Sequence, residues 1–229
     1  MKHFEQDEDT TYNEIRGITD TEKSDIILCC DCWNKCVKEL HIQANRVRVV
    51  YRSQFFIYAL KRYRWHEKDA LATIEGTGAA FWLCVSQSQV AADCMFGSTQ
   101  RVPLDEKALW DTSFIETNAD AHLFCTARGS QTIFEFELSA LDELHMLRRL
   151  ELKDGLCGIA IGILQGRECM LVTFKSRAIG QYALCLSGLE ELSRLPFNGH
   201  PELILYDHNK EIIIVEDKSG VLYTFYLDF

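Results

Sequence analysis

The densest group of potentially reactive side chains is a run of four cysteines within residues 29–36. Cys29, Cys32 and Cys36 have the spacing CxxC followed by CxxxC, which could bind zinc or an iron–sulfur cluster, with His41 as a fourth ligand. Structural zinc sites usually have a second CxxC or HxxxH pair, and none follows here. We therefore favour packed or partly exposed thiols, and a metal-binding or redox module remains an alternative hypothesis.

A second candidate site is a basic segment, residues 46–68, with seven basic residues and one acid, Glu67. Its net charge of +6 contrasts with −10 for the whole protein. Arginine together with aromatic side chains suits an acidic peptide, a phosphate group, RNA or a protein-interface hot spot. The alternative is a solvated outer strand whose long side chains cover apolar surface. The residues predicted to bind a partner are Arg46, Arg48, Arg52, Lys61, Arg62, Arg64 and Trp65.

Catalytic motifs are poorly represented in the sequence. His208 has no identifiable nucleophile, and Ser130 and Ser219 lack the strand–elbow–helix context of a hydrolase. The Gly76-Thr77-Gly78 stretch lacks the third glycine of a dinucleotide-binding loop, and there is no P-loop motif. We therefore predict a protein that is not an enzyme, with no catalytic residues, no metal and no cofactor.

The composition is that of a soluble globular protein. The 229 residues are 47% hydrophobic and 25% charged, which excludes disorder along the whole chain. The acidic balance argues against binding of nucleic acid or a membrane surface along the whole sequence. The longest apolar clusters, such as residues 55–60, are far shorter than the roughly 20 residues that span a bilayer. Ten cysteines without an export signal predict reduced thiols and a cytosolic or nuclear location.

One unit recurs along the chain and consists of an apolar run, a short polar turn and a second, alternating run. Its copies start at residues 25, 80, 121, 169 and 211. Short polar loops between β-rich runs are hairpin signals. Segments before the hairpins, such as residues 156–163, suit inner strands because their small residues permit crowding. Segments after them, such as residues 46–51, suit outer strands, and weak helical periodicity is confined to residues 140–146 and 189–192.

Two of these hairpins carry a family resemblance. In residues 121–138 a small turn precedes a run that ends in Phe136-Glu137, and residues 219–225 follow the same pattern. This resembles the end of a WD40-type repeat, with Phe136-Glu137 at the position of the Trp-Asp pair. The resemblance covers most of residues 13–229 and implies an all-β, β-propeller-like array of about five four-stranded blades, open or incomplete. The family's Asp-His-Ser/Thr-Trp network is not carried over, because no Trp-Asp pair ends a hairpin.

Two expectations about edges and faces follow from the repeat. The last repeat stops one strand short, so residues 1–12, predicted as an acidic flexible tail, or a partner chain could cover an open edge.

Equivalent turns of a propeller lie on one face, and basic residues in them would form a cationic rim, although turn residues are usually just polar. Lys35 belongs to this pattern, which Gln87 and Ser88 interrupt. The predicted secondary rim consists of Arg128, Lys175, Arg177 and Lys218.

These observations favour a non-catalytic β-propeller scaffold or adaptor that binds other proteins in a cytosolic or nuclear complex. Two alternatives remain, the metal or redox module of residues 29–36 and a nucleic-acid-associated subunit that uses residues 46–68. No membrane partner is expected. Other proteins are the expected partners, and the sequence does not identify them.

Overall fold

The computed structural model describes residues 12–20, 25–65, 68–76, 78–84, 96–103, 113–117, 122–127, 129–138, 144–164, 166–185, 188–207 and 210–226. These residues form nineteen β-strands. They contain no helix, and hence no helix capable of crossing a membrane. The expectation of an all-β protein is confirmed.

The first of two compact units comprises residues 1–115 and 137–146. It contains two antiparallel four-stranded sheets whose strands follow chain order. The first sheet consists of β1 (Ile15–Asp20), β2 (Ile26–Asp31), β3 (Cys36–His41) and β4 (Arg46–Arg52). The second sheet consists of β5 (Ile57–Trp65), β6 (Lys68–Glu75), β7 (Gly78–Cys84) and β8 (Phe96–Pro103).

The second unit comprises residues 116–136 and 147–229. It holds most of the third sheet together with the fourth and fifth sheets. The third sheet consists of β9 (Ser113–Thr117), β10 (Leu123–Ala127), β11 (Thr132–Leu138) and β12 (Leu144–Glu151). The fourth consists of β13 (Leu156–Leu164), β14 (Arg167–Phe174), β15 (Ala178–Cys185) and β16 (Gly188–Pro196). The fifth has three described strands, β17 (Pro201–Asp207), β18 (Ile212–Asp217) and β19 (Leu222–Tyr226).

A β-bulge recurs where the first strand of a sheet begins. Ile15 pairs with Asp31 and Gly17 pairs with Cys30, so one residue of β1 is left over between the two pairs. The first strands of the second, fourth and fifth sheets show the same shift in register. Because a bulge turns the extra side chain in a new direction, each of these four sheets presents at this place one residue whose type differs from sheet to sheet. These residues are Arg16, Tyr58, Cys157 and Glu202.

The first strands of neighbouring sheets pack closely within each unit, β1 against β5 and β13 against β17. Gly17 and Gly158 each follow the bulge and permit this approach. A Cβ atom on Gly17 would lie 3.1 Å from the backbone nitrogen of Leu60, and one on Gly158 would lie 3.2 Å from that of Ile204. The small residues expected on inner strands therefore have a direct steric reason.

A buried core fills the space between the sheets of each unit. In unit 1, Leu28 and Val37 of the first sheet pack with Ile57 and Leu71 of the second. In unit 2, the fourth and fifth sheets bury a cluster that includes Leu171, Ile204 and Val215, with the half-buried Tyr223 and Phe225 against it. The alternating apolar runs of the sequence thus supply the inner faces of the sheets.

Two expectations about the strands are wrong. The first run of the hairpin predicted at residues 80–96 lies in β7, which is the third strand of the second sheet and not its second. The second run, residues 89–96, lies outside the described residues except for Phe96, where β8 begins. β6 and β7 are the second and third strands of this sheet, so the second repeat begins one strand earlier than predicted. The expected helical turn at residues 189–192 lies within β16, and the described part of the other, residues 144–146, lies within β12. The blade count and the predicted tail stay predictions.

Candidate functional site

The turns between second and third strands lie at the same end of the sheets as the connections that enter them. In unit 1, the Gly76 N–H donates to the Phe56 carbonyl (2.9 Å). In unit 2, Lys175 N–H donates to the Gly155 carbonyl (2.9 Å). We call residues 13–14, 32–35, 53–56 and 76 the turn end of unit 1. We call residues 129–131, 152–155, 175–177, 197–200 and 218–221 the turn end of unit 2.

A cavity of about 390 Å³ opens at the turn end of unit 1, between its two sheets. Arg16 and Tyr58 enter it from the bulged positions of β1 and β5, so the repeated backbone irregularity positions two of its walls. The remaining walls come from the first turn and from the connection between the sheets. The lining side chains are Glu14, Arg16, Cys32, Trp33, Phe56 and Tyr58.

The charged groups of the cavity are partnered with one another. Arg16 Nη2 lies 2.6 Å from Glu14 Oε1, and the indole N–H of Trp33 donates to Glu14 Oε2. The Trp33 and Phe56 rings meet edge to face with centroids 4.9 Å apart, and Lys35 Nζ lies 5.0 Å from the Phe56 centroid. Trp33 is still 53% exposed. The surface offered to a ligand is therefore mainly aromatic.

Two residues beside the cavity have strained backbones. Glu14 has φ = 74° and Lys35 has φ = 53°, in the left-handed region that favours glycine. For other residues this conformation costs about 1–2 kcal/mol, and such strain clusters at binding sites.

Burial raises the pKa of Tyr58, with Cys32 and Glu14 adding to the effect. Its phenol therefore stays protonated at neutral pH.

A buried ion pair holds the turn of residues 32–35 in place. Lys38 Nζ lies 2.8 Å from Asp31 Oδ2, and both side chains are fully buried. Asp31 also accepts from Asn34 Nδ2 (2.9 Å) and from the Asn13 N–H (3.0 Å). Burial alone would raise the pKa of Asp31, but these hydrogen bonds outweigh it and lower that pKa. The turn that carries Trp33 is thereby fixed to the segment that carries Glu14.

The cysteine cluster is part of the core of the first sheet. Cys29, Cys30, Cys32 and Cys36 are all buried as free thiols. Burial raises the pKa of Cys29 and Cys30 to about 12, so both thiols are protonated at neutral pH. Across the described ranges, no group of three or more His, Cys, Asp or Glu side chains is arranged for a metal ion.

The basic segment 46–68 is divided between two sheets. Arg46, Arg48 and Arg52 lie on β4, whereas Lys61 and the other predicted residues lie on β5. Arg48 Nη2 contacts both oxygens of Glu39 (3.0 and 3.1 Å), so this arginine has a structural partner on β3. The side chains of Arg64 and Trp65 lie outside the described residues. Partner binding by this segment stays a prediction.

The predicted rim residues Lys175, Arg177 and Lys218 are exposed at the turn end of unit 2. Arg128 lies outside the described residues. The structure adds His200, whose Nε2 lies 2.7 Å from Arg177 Nη2. The turn positions of unit 2 thus carry cations where the first turn of unit 1 carries Trp33.

The aromatic cavity was not found by sequence reasoning, although its signals are present. Trp33 stands in a polar turn, where a large aromatic side chain is unusual. Ile57-Tyr58-Ala59 has the pattern of Ile15-Arg16-Gly17, an apolar residue, a variable one and a small one. That similarity would have identified β5 as an inner strand and Tyr58 as the counterpart of Arg16.

No model of a protein family matches the sequence, and no curated protein matches it significantly. Solved structures do match. Raptor from Chaetomium thermophilum superposes with a TM-score of 0.67 at 9% identity, over 96% of this chain and 20% of that chain. BBS1N, solved in complex with ARL6DN, gives a TM-score of 0.66 at 8% identity, over 93% of this chain and 64% of that one.

A functionally unknown protein from Desulfotomaculum acetoxidans gives a TM-score of 0.66 at 12% identity, over 94% of this chain and 70% of that one. This chain therefore spans one fifth of the Raptor chain and just under two thirds of BBS1N. Raptor and BBS1N contain β-propellers. At these identities the likeness shows a propeller-like fold alone.

Proposed function

We propose that the chain is a non-catalytic, β-propeller-type scaffold that binds other proteins, and that the cavity of unit 1 receives a bulky apolar side chain from a partner. The observation that carries the proposal is the half-exposed Trp33, which stands over a cavity walled by Phe56 and Tyr58. The propeller-like fold supports it, since one similar structure is that of BBS1N in complex with ARL6DN. Tryptophan is enriched among the residues that dominate binding energy at interfaces.

The charges around the cavity favour an apolar occupant. Glu14 is already contacted by Arg16 and Trp33, and Lys35 lies over the Phe56 ring. A charged ligand group would lose hydration and would have to compete for partners that are already engaged. An apolar side chain gains about 25 cal/mol for each Å² that it removes from water. The occupant that fits is a large aliphatic or aromatic side chain of the partner.

A scaffold role leaves any chemical step to the partner. The buried cysteines support this part of the proposal, because thiols whose pKa is raised to about 12 are poor nucleophiles at neutral pH. Free thiols also support a cytosolic or nuclear location, where cysteines remain reduced.

The test compares Trp33→Ala with Tyr226→Ala, a change at another exposed aromatic residue, on β19 of unit 2. Both variants and the wild type are purified from cells with a tag, the bound proteins are quantified by mass spectrometry, and the principal one is purified and titrated. We expect Trp33→Ala to weaken its binding about 30-fold, as removal of a hot-spot residue does, and Tyr226→Ala to bind normally. Trp33→Phe should retain part of the affinity.

Equal binding of the same partners by wild type and a folded Trp33→Ala protein would remove the cavity from the proposal. Loss of binding in Tyr226→Ala alone would instead assign recognition to β19. Thermal unfolding of each variant separates a lost contact from a lost fold.

A further inference from the structure

The turn end of unit 2 carries cations on four connections between strands. Lys153 follows β12, Lys175 and Arg177 lie between β14 and β15, and Lys218 follows β18. His200 precedes β17, and its carbonyl accepts from the Lys218 N–H (2.8 Å). We call Lys153, Lys175, Arg177, His200 and Lys218 the turn cluster. All five are exposed.

The acids of this turn end are directed inward, into the turns themselves. Asp217 Oδ1 accepts from the backbone N–H groups of Ser219 (2.8 Å) and Val221 (3.2 Å). The hydrogen bond from the Ser219 hydroxyl is the main reason that the pKa of Asp217 lies below its ordinary value. Asp154 Oδ1 accepts from the Gly155 N–H (2.7 Å). The carboxylates therefore shape the loops, and the positive charges face solvent.

Two local features hold basic side chains in place. Arg177 has φ = 61°, at a position where the next turn has Gly220 with φ = 80°. Lys175 fills space left by glycine, since a Cβ atom on Gly129 would lie 2.6 Å from Lys175 Nζ. The positive φ of Gly129 (83°) accounts for glycine at that position, whereas an arginine in a glycine conformation favours a function for Arg177.

We propose that the turn cluster binds an extended, carboxylate-rich segment of a partner protein. The cations are spread over successive turns, which matches several carboxylates along a chain better than one phosphate group. In the described residues of the turn end no exposed tryptophan, tyrosine or phenylalanine is available to stack on a nucleobase, since Phe197 is buried, and the exposed His200 ring is already in contact with Arg177. The site is separate from the aromatic cavity and does not depend on the function proposed for it.

The test uses a fluorescein-labelled peptide of alternating glutamate and glycine, titrated with the whole protein by fluorescence anisotropy at low and physiological salt. The variant is Arg177→Glu/Lys218→Glu. Its matched control is Arg167→Glu/Lys210→Glu, with exposed residues at the opposite ends of the same two sheets and the same change in net charge. Circular dichroism and thermal unfolding check that both proteins fold.

We expect the wild type to bind the peptide with an affinity that falls as salt rises, because screening weakens exposed charge pairs. Arg177→Glu/Lys218→Glu should weaken binding at least about tenfold, since like charges then face each other, and the control should change it less than about threefold. Trp33→Ala should bind the peptide normally, so failure at one site is distinguishable from failure at the other.

Three outcomes would overturn the proposal. One is no binding of the peptide by the wild type at low salt. Another is an equal loss of peptide affinity in the variant and in its matched control, which would mean that only the net charge of the protein matters. The third is tighter, turn-dependent binding of a thymidine oligonucleotide or of phosphatidylserine vesicles, which would assign the cluster to nucleic acid or to a lipid surface.

Discussion

The first turn of unit 1 and the turns of the fourth and fifth sheets in unit 2 have the same backbone closure and different chemistry. In each, an N–H donates to a carbonyl three residues earlier: Lys35 to Cys32 (3.1 Å), Arg177 to Phe174 (3.0 Å) and Gly220 to Asp217 (2.9 Å). The unit 1 turn adds Trp33 to an aromatic cavity, whereas the unit 2 turns expose cations. The repeated backbone therefore supplies positions, and the turn residues decide what can bind there.

The two turn ends also differ in how their carboxylates are held. Asp31 and Asp217 are each the last residue of a second strand. Asp31 depends on Lys38, a buried cation from the next strand, at 2.8 Å. Asp217 is satisfied within its own turn, by Ser219 and Val221. The aromatic site thus depends on a buried ion pair, and the cationic site depends on local hydrogen bonds.

The largest expected loss of unfolding free energy comes from breaking the buried ion pair between Asp31 and Lys38. Lys38→Met leaves the buried Asp31 carboxylate without its cation, which typically costs about 3–5 kcal/mol of unfolding free energy. Asp217→Asn should cost less, because the asparagine oxygen can still accept from the N–H groups of Ser219 and Val221 and no buried cation loses its partner. Urea unfolding followed by intrinsic fluorescence measures both. Equal losses would contradict the distinction between the two anchors.

The double variant Asp31→Asn/Lys38→Met is the control, and it should recover most of the lost unfolding free energy because no buried charge remains at this site.

The Asp31–Lys38 pair also predicts a pH dependence of the unfolding free energy. The pKa of Asp31 is lowered in the folded protein, so its contribution is complete above the ordinary value of about 4 and is lost as the pH falls through the lower folded value. Unfolding free energies at pH 7, 4 and 3 should therefore fall more steeply in the wild type than in the double variant.

A smaller loss of unfolding free energy, equal in the two units, is expected at the glycines that permit their inner strands to pack. Gly17→Val and Gly158→Val would each place a branched side chain against the neighbouring inner strand, where even a Cβ atom would lie 3.1 or 3.2 Å from a backbone nitrogen. Overpacking of this kind costs about 1–3 kcal/mol. Gly17→Ala and Gly158→Ala should cost less than the valine variants in urea unfolding. A loss in one unit only would mean that the two inner-strand contacts are not equivalent.

Much of the strand pattern could be predicted from the sequence, because alternating apolar runs and polar turns are local signals. The hairpins of the first, third, fourth and fifth sheets lie where the sequence predicts them. The second repeat was predicted one strand late: no inner strand was assigned to it, and residues 57–65, which form β5, were considered only as part of the basic segment 46–68. The apolar residues Ile57 and Leu60 of the same strand are fully buried or nearly so.

The aromatic cavity could not be predicted because it depends on register and on contacts between sheets. Arg16 and Tyr58 are 42 positions apart in the sequence, and only the bulges of β1 and β5 turn both toward one space. Glu14 joins them through its contacts with Arg16 and Trp33. The cationic turn cluster was easier to anticipate, since basic residues in successive turns are visible in the sequence.

The smallest expected effect compares the strained turn positions of the two units. Arg177→Gly removes a left-handed strain of about 1–2 kcal/mol and increases the entropy of the unfolded chain by about 0.4–1 kcal/mol. We therefore expect it to leave the unfolding free energy unchanged or to raise it by up to about 1 kcal/mol. Lys35→Gly has the same two effects but also removes the cation over the Phe56 ring, a contact worth about 0.5–1 kcal/mol at an exposed site. The net change in the unfolding free energy of Lys35→Gly should therefore be closer to zero.

Urea unfolding of both variants and the wild type measures these changes in unfolding free energy. A loss above about 1 kcal/mol in Arg177→Gly would mean that Arg177 stabilises the fold through His200, and its strained conformation would then no longer favour a role in partner binding.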